Sequence, residues 1–120
     1  MSKMIFVVDD NDANLTVAAS ALEEDFRVLT MPSAERMFSL LGKKRPDMIL
    51  LDIEMPEMGG FEAISKLKGQ PEWNDIPVVF VTGHIDDAVT SNASKSGALD
   101  VIGKPFAPGA LLRRVKELLD

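Results

Sequence analysis

Residues 4–10 read Met4-Ile5-Phe6-Val7-Val8-Asp9-Asp10, an apolar run closed by two carboxylates. A short, continuous apolar run bounded by polar residues is the pattern of a strand buried on both faces. The pattern recurs along the chain: Asp52 follows Met48 to Leu51, Thr82 follows Val78 to Val81, and Lys104 follows Val101 and Ile102. If each run is a parallel strand, all four polar signals land on one rim of one sheet. Open α/β sheets bind ligands there, outside the carboxyl ends of their strands. Three carboxylates, a hydroxyl and an ammonium together suit a divalent cation and a phosphoryl group.

Helical spacing fills the intervals between the runs. Leu15, Ala18, Ala19 and Leu22 recur on one face, with Asn11 or Asp12 as the cap. Phe26 to Leu29 reads as a second, more exposed strand. Ser33 caps a helix carrying Met37, Leu40 and Leu41; Gly42 and the cations Lys43, Lys44 and Arg45 suit its C-terminus, and Pro46 stops it. Phe61, Ile64 and Leu67 mark a third helix ended near Gly69. Ile76 to Val81 is a β-branched fourth strand. Asp86 to Ser94 is a weak helix whose apolar members are Ala88, Val89 and Ala93, and Leu99 to Ile102 is the fifth strand. Pro108 opens a last helix striped by Leu111, Leu112, Val115, Leu118 and Leu119. Strands alternating with helices predict an α/β fold: a flavodoxin-like, doubly wound, five-stranded parallel sheet in the order 2-1-3-4-5, with five helices in a three-layer sandwich.

Composition bounds the function. The 120 residues, 46% of them hydrophobic, fit one domain over residues 1–120 with a core of its own. A net charge of -6 argues against direct nucleic-acid binding and against anionic membranes, both of which need a basic face. With no cysteine, disulfides, thiolate catalysis and cysteine-held metals are excluded, as suits a reducing cytoplasm. One histidine, His84, cannot build a histidine-rich zinc site. No apolar run approaches the roughly 20 residues of a membrane span. Met1-Ser2-Lys3 leads directly into the first run, leaving no room for a signal peptide, and Asp120 closely follows the last helical turn. The expectation is a cytoplasmic domain, either stand-alone or a piece of a larger protein.

Each polar signal has an ordinary reading beside the chemical one. Asp9 and Asp10 either end a strand and cap a helix, or repel each other until a magnesium ion neutralises them. Asp52 is a solvated turn residue, a metal ligand, a nucleophile that forms an acyl phosphate, or the last two at once. Thr82 is a good strand-end residue or a phosphoryl donor. Lys104 is a surface lysine or a compact charge for phosphate oxygens, and its bond to Pro105 is of the kind that adopts cis in tight turns. Their shared position, always after a strand, favours the chemical readings jointly.

With those residues in place, the chain resembles a response-regulator receiver domain of two-component signalling, of the chemotaxis-regulator type. The resemblance spans essentially the whole sequence. It is carried by Phe6-Val7-Val8-Asp9-Asp10, by Asp52-Ile53-Glu54-Met55-Pro56 with Met58-Gly59-Gly60, by Val81-Thr82-Gly83 and by Lys104-Pro105-Phe106. It implies that Asp52 is the phosphoacceptor and that Asp9, Asp10, Asp52 and the backbone carbonyl of Glu54 hold Mg²⁺, Asp9 through water. It implies Thr82 as the switch hydroxyl and Lys104 as the phosphoryl contact. The implied donor is a phosphohistidine on a sensor histidine kinase or phosphotransfer protein. The face built from the fourth helix, fifth strand and last helix would then meet an effector or a second copy. The domain would not be an enzyme, beyond assisting its own phosphorylation and dephosphorylation.

One position departs from the pattern. Where many receivers carry an aromatic residue on the fifth strand, three before the lysine, this chain has Val101, too short and stiff to report by swinging a ring. Phe106 reads as core rather than a substitute switch, and Trp73 as a partly buried anchor for the loop before the fourth strand. Glu54 and His84, each two residues beyond a site residue, are positions from which phosphoryl lifetime could be tuned. Two rival readings stand: a haloacid-dehalogenase-like phosphatase with Asp10 as nucleophile and Asp12 as general acid, and a receiver-like module that is never phosphorylated.

Overall fold

Strand and helix alternate throughout the computed structural model, which describes residues 3–119. Met1, Ser2 and Asp120, on which the expectations about the chain ends partly rest, lie outside the described residues. The elements are β1 (Met4–Val8), α1 (Asp12–Leu22), β2 (Arg27–Met31), α2 (Ala34–Leu41), β3 (Met48–Asp52), α3 (Gly60–Lys68), β4 (Val78–Thr82), α4 (Asp87–Ser96), β5 (Asp100–Gly103) and α5 (Pro108–Leu119). All strand pairs are parallel, in the order β2-β1-β3-β4-β5 that the alternation predicts.

Alternation of side chains along each strand builds the layers. Phe6, Val8, Ile49, Leu51, Val78 and Phe80 face one way and meet Met37 of α2, Ile64 and Leu67 of α3, and Ala93 of α4. Ile5, Val7, Met48, Leu50, Val79 and Val81 face the other way and meet Leu15, Ala18 and Leu22 of α1, and Leu111 and Val115 of α5. The central strands β3 and β4 are buried at every position, so they read as unbroken apolar runs; β2, on the sheet edge, is mostly open. Phe106 and Trp73 behave as expected: Phe106 packs against the α1–α5 side of the core, and Trp73 packs on the other side, 5.7 Å from the ring of Phe38.

Several boundaries move by a few residues. Phe26 is held by its amide to Leu22 O at 2.9 Å, in the turn that closes α1, so β2 starts at Arg27 and runs on to Met31. β4 starts at Val78 rather than Ile76; Pro77 has no N–H for the ladder and contributes only its carbonyl, to Ile49 N at 2.9 Å. Asn11, not Asp12, caps α1 by accepting from Asn14 N. α4 extends to Ser96 and ends on Gly97, whose φ of 95° is the left-handed conformation glycine adopts without strain.

Gly60 fixes the rear of the site rim. Its amide donates to Ile53 O at 2.8 Å, and a Cβ there would lie 2.7 Å from Asp52 O and 2.8 Å from Ile53 Cα. Backbone cannot yield as a flexible side chain can. Gly60→Ala is therefore expected to cost on the order of 1–3 kcal/mol. Gly109→Ala, in a helix with nothing within 4 Å of the added methyl, should gain about 0.5–1 kcal/mol. Urea denaturation of the two variants checks this; equal midpoints would contradict the packing at Gly60.

Candidate functional site

The register puts the strand ends level: Val8 pairs with Leu51, Asp52 with Val81, and Thr82 with Gly103. Residues just past those ends therefore meet. One carboxylate oxygen each from Asp9, Asp10 and Asp52 lies within 4.8 Å of the others. Asp9 and Asp52 are buried and Asp10 is exposed. Lys104 Nζ donates to Asp9 Oδ2 and to Asp52 Oδ1, each at 3.2 Å. Asp9 Oδ1 also accepts from Asn11 N at 2.9 Å. An open cavity of about 400 Å³ sits over the group, lined by Asp9, Asp10, Asn11, Asn14, Asp52, Glu54, Gly83, His84 and Lys104.

Electrostatics leave this cluster short of positive charge. Burial and the neighbouring Asp9 push the Asp52 carboxyl up to about 6, against the opposing pull of Lys104. Burial opposes the charge on Lys104, but the hydrogen bond to Asp9 and the charges of Asp52 and Asp9 outweigh it, so its pKa is raised. Three carboxylates facing one ammonium form a hard, oxygen-only donor set. Mg²⁺ takes oxygen ligands, one or two of them carboxylates with the rest waters or substrate oxygens, and this donor set offers such ligands. The residues present therefore fit a magnesium ion.

The remaining predicted residues lie close by, but not all point inward. Thr82 is buried, and its hydroxyl faces its own loop: it accepts from His84 N at 3.2 Å and donates to His84 O at 3.4 Å. The Thr82 carbonyl accepts from Lys104 N at 2.7 Å, and the Lys104–Pro105 peptide is cis. Glu54 and His84 are exposed on the cavity rim. Glu54 N donates to Asp52 Oδ1 at 3.4 Å. Val101 is half-buried on β5, against the core on the α4 side. Asp12 lies apart, in a groove between α1 and the β2 edge with Thr16, Glu23 and Thr30.

Sequence reading assigned no site role to Asn14, Gly83, Gly60 or Asp86. Asn14 follows Asn11 by nearly one helical turn, a spacing that brings both to the cavity and is visible only once the helix start is fixed. Asp86 caps α4, its Oδ1 accepting from Val89 N at 2.8 Å, while Oδ2 lies 2.9 Å from His84 Nε2.

Comparison with known proteins agrees with this fold. The family model for the response regulator receiver domain matches residues 5–116, and the chain belongs to that family. It is a signalling domain of the kind found in response regulators. The response regulator PleD of Caulobacter vibrioides is 36% identical over 119 residues, which make up 98% of this chain and 26% of PleD. The chain thus spans about a quarter of that relative's length. The BeF3-activated receiver domain of DrrB, a Thermotoga maritima protein, superposes with a TM-score of 0.87 at 31% identity, over 99% of this chain and 98% of that one. The chemotaxis protein CheY4 of Vibrio cholerae shares the fold, with a TM-score of 0.93 at 24% identity, over 98% of this chain and 99% of that one. No helix among the described residues is long and apolar enough to cross a membrane.

A raised carboxyl pKa has a definite sign. The folded protein binds the Asp52 proton more tightly than the unfolded chain does, so without a divalent cation this group's stabilisation is present below about pH 4 and is lost as pH rises through about 6. Asp52→Asn removes the charge at nearly constant shape. In chelator, the variant is expected to be more stable than the parent at pH 7 by on the order of 1–3 kcal/mol, with the gap closing towards pH 4. Millimolar Mg²⁺ should stabilise the parent more than the variant. Urea titrations across pH check this, and a gap that does not vary with pH would contradict it.

Proposed function

We propose that this receiver, acting as one unit over residues 1–120, takes a phosphoryl group onto Asp52 from the phosphohistidine of a sensor histidine kinase or a phosphotransfer protein. The observation that carries the reading is the Asp52 carboxylate held between Lys104 and two further carboxylates at the floor of an open cavity. An Asp52 oxygen attacks phosphorus, the P–N bond to the donor imidazole breaks, and the departing nitrogen keeps the electron pair and is protonated. Lys104 neutralises phosphoryl oxygens as they approach. Asp10, Asp52 and the Glu54 carbonyl would hold Mg²⁺ directly, and Asp9 through water. That ion, when bound, supplies the positive charge that lets an anionic group approach carboxylates.

The phosphoryl group adds about −1.5 to −2 of charge and strong acceptor oxygens. Thr82 then exchanges the backbone of His84 for a phosphoryl oxygen, and Lys104 leaves its bridge between Asp9 and Asp52. The loop from Gly83 to Asp86 loses the hydroxyl that ties it. α4 follows because Ala93 is its one buried residue. Val101 cannot signal by ring rotation, but Ile85 can replace it: its Cδ1 lies 3.1 Å from where a Gly103 Cβ would be, so movement of the loop slides Ile85 off β5. The α4-β5-α5 face, with Leu99 half exposed on it, then presents a changed surface to a cytoplasmic effector or a second copy. Glu54 and His84, on the rim, influence how long the phosphoryl group survives. Asp12, outside the cavity, gives the phosphatase reading no general acid.

Acetyl phosphate or phosphoramidate with Mg²⁺ should label the protein once. Chelation should abolish labelling, and so should Asp52→Asn. Borohydride trapping and mass spectrometry should place the group on Asp52. Normal labelling of Asp52→Asn, or trapping at Asp10, would overturn the assignment.

A further inference from the structure

We propose that Asp86 is a positioning residue for His84, and that the pair couples hydrolysis of the Asp52 phosphate to the first turn of α4. The inference rests on the reading that Asp52 is the phosphoacceptor. Its observations are the two bonds of one carboxylate: Asp86 Oδ1 accepts from Val89 N at 2.8 Å, and Oδ2 meets His84 Nε2 at 2.9 Å. The Val89 amide, with His84 beyond it, holds the Asp86 carboxyl below its ordinary range, so at neutral pH it is an acceptor only.

An acceptor facing Nε2 requires the proton on Nε2. In a neutral imidazole the lone pair is then on Nδ1. Nδ1 makes no hydrogen bond among the described residues, and His84 is one of the residues lining the cavity with Asp9, Asp10, Asp52, Glu54 and Lys104. Those neighbours are four carboxylates and an ammonium. Under the proposed function Asp9, Asp10 and Asp52 are committed to the cation, the ammonium can only donate, and the Glu54 carboxylate and the Asn14 amide stay on the rim as oxygen acceptors. Among the residues lining the cavity, His84 Nδ1 is the one nitrogen lone pair for an incoming water.

The step balances as follows. Water oxygen attacks phosphorus while its proton passes to Nδ1 and on to solvent. The P–O bond to Asp52 breaks, the carboxylate is restored, and inorganic phosphate leaves. Before phosphorylation the Thr82 hydroxyl ties both His84 N and His84 O; once it turns to the phosphoryl group, Asp86 is what holds the ring. A partner that grips the start of α4 and draws Asp86 away would release the ring and lengthen the phosphorylated state.

Asp86→Asn separates positioning from capping. The amide oxygen still caps α4, since Asn and Asp are equivalent caps. The amide nitrogen turns to Nε2 as a donor, which moves the ring proton to Nδ1. Imidazole ¹⁵N spectra of the unphosphorylated protein should show the Nε2–H tautomer in the parent and the Nδ1–H tautomer in the variant. After labelling with acetyl phosphate and removal of the donor, the phosphate half-life should lengthen roughly 2- to 10-fold, the weight of one hydrogen bond. Asp86→Asn should add nothing to His84→Ala, while the thermal midpoint stays at the parent value. An unchanged tautomer overturns the proposal, as does an unchanged half-life or an equal lengthening in the His84→Ala background. Failure of the parent to take label would instead overturn the phosphoacceptor reading, and the spectra would still judge the role of Asp86.

Discussion

Lys104 stands 3.2 Å from each of two buried carboxylates that would otherwise repel each other across the end of the sheet. Uncompensated charge of this kind is among the costliest things a fold can bury. One ammonium against Asp9, Asp10 and Asp52 reduces the cost without removing it, as the raised Asp52 pKa records. Under the proposed function, the remaining deficit is what a divalent cation would relieve before a phosphoryl group arrives. Stability and function are thus opposed at one point, and the apolar bulk of β1, β3 and β4 makes the opposition tolerable.

The sheet enforces that convergence. Asp9, Asp52, Thr82 and Lys104 are far apart in the chain, yet parallel pairing brings every strand end to the same side. Antiparallel pairing would have sent half of them to the opposite rim. Gly60, pressed against the backbone of Asp52 and Ile53, closes the rear so that the β3 end cannot retreat from the cluster.

Much of this could be read from the sequence because it depends on runs and positions. Continuous apolar stretches such as Met48 to Leu51 reveal central strands, and a polar residue directly after each stretch reveals the rim. What depends on backbone hydrogen bonding could not be read so well. Phe26 looks like a strand residue but closes a helical turn, and Pro77 delays β4 through a missing donor. Side-chain direction was hidden as well. Thr82 is on the expected strand end, but its hydroxyl faces the His84 backbone instead of the cavity. Asp86 was legible as the start of a helix; that its second oxygen reaches His84 follows from a loop conformation no periodicity encodes.

The sparse anchoring of α4 has a consequence for how such a protein diversifies. Ala93 is the helix's one buried residue, so nearly all of its remaining positions are free of packing duties. Under the proposed function, their identities can drift, or be redesigned, to suit a new partner while the sheet rim stays intact. Under the proposed function, recognition and reactivity are written largely in separate parts of the sequence and meet at the start of α4, where Asp86 serves both.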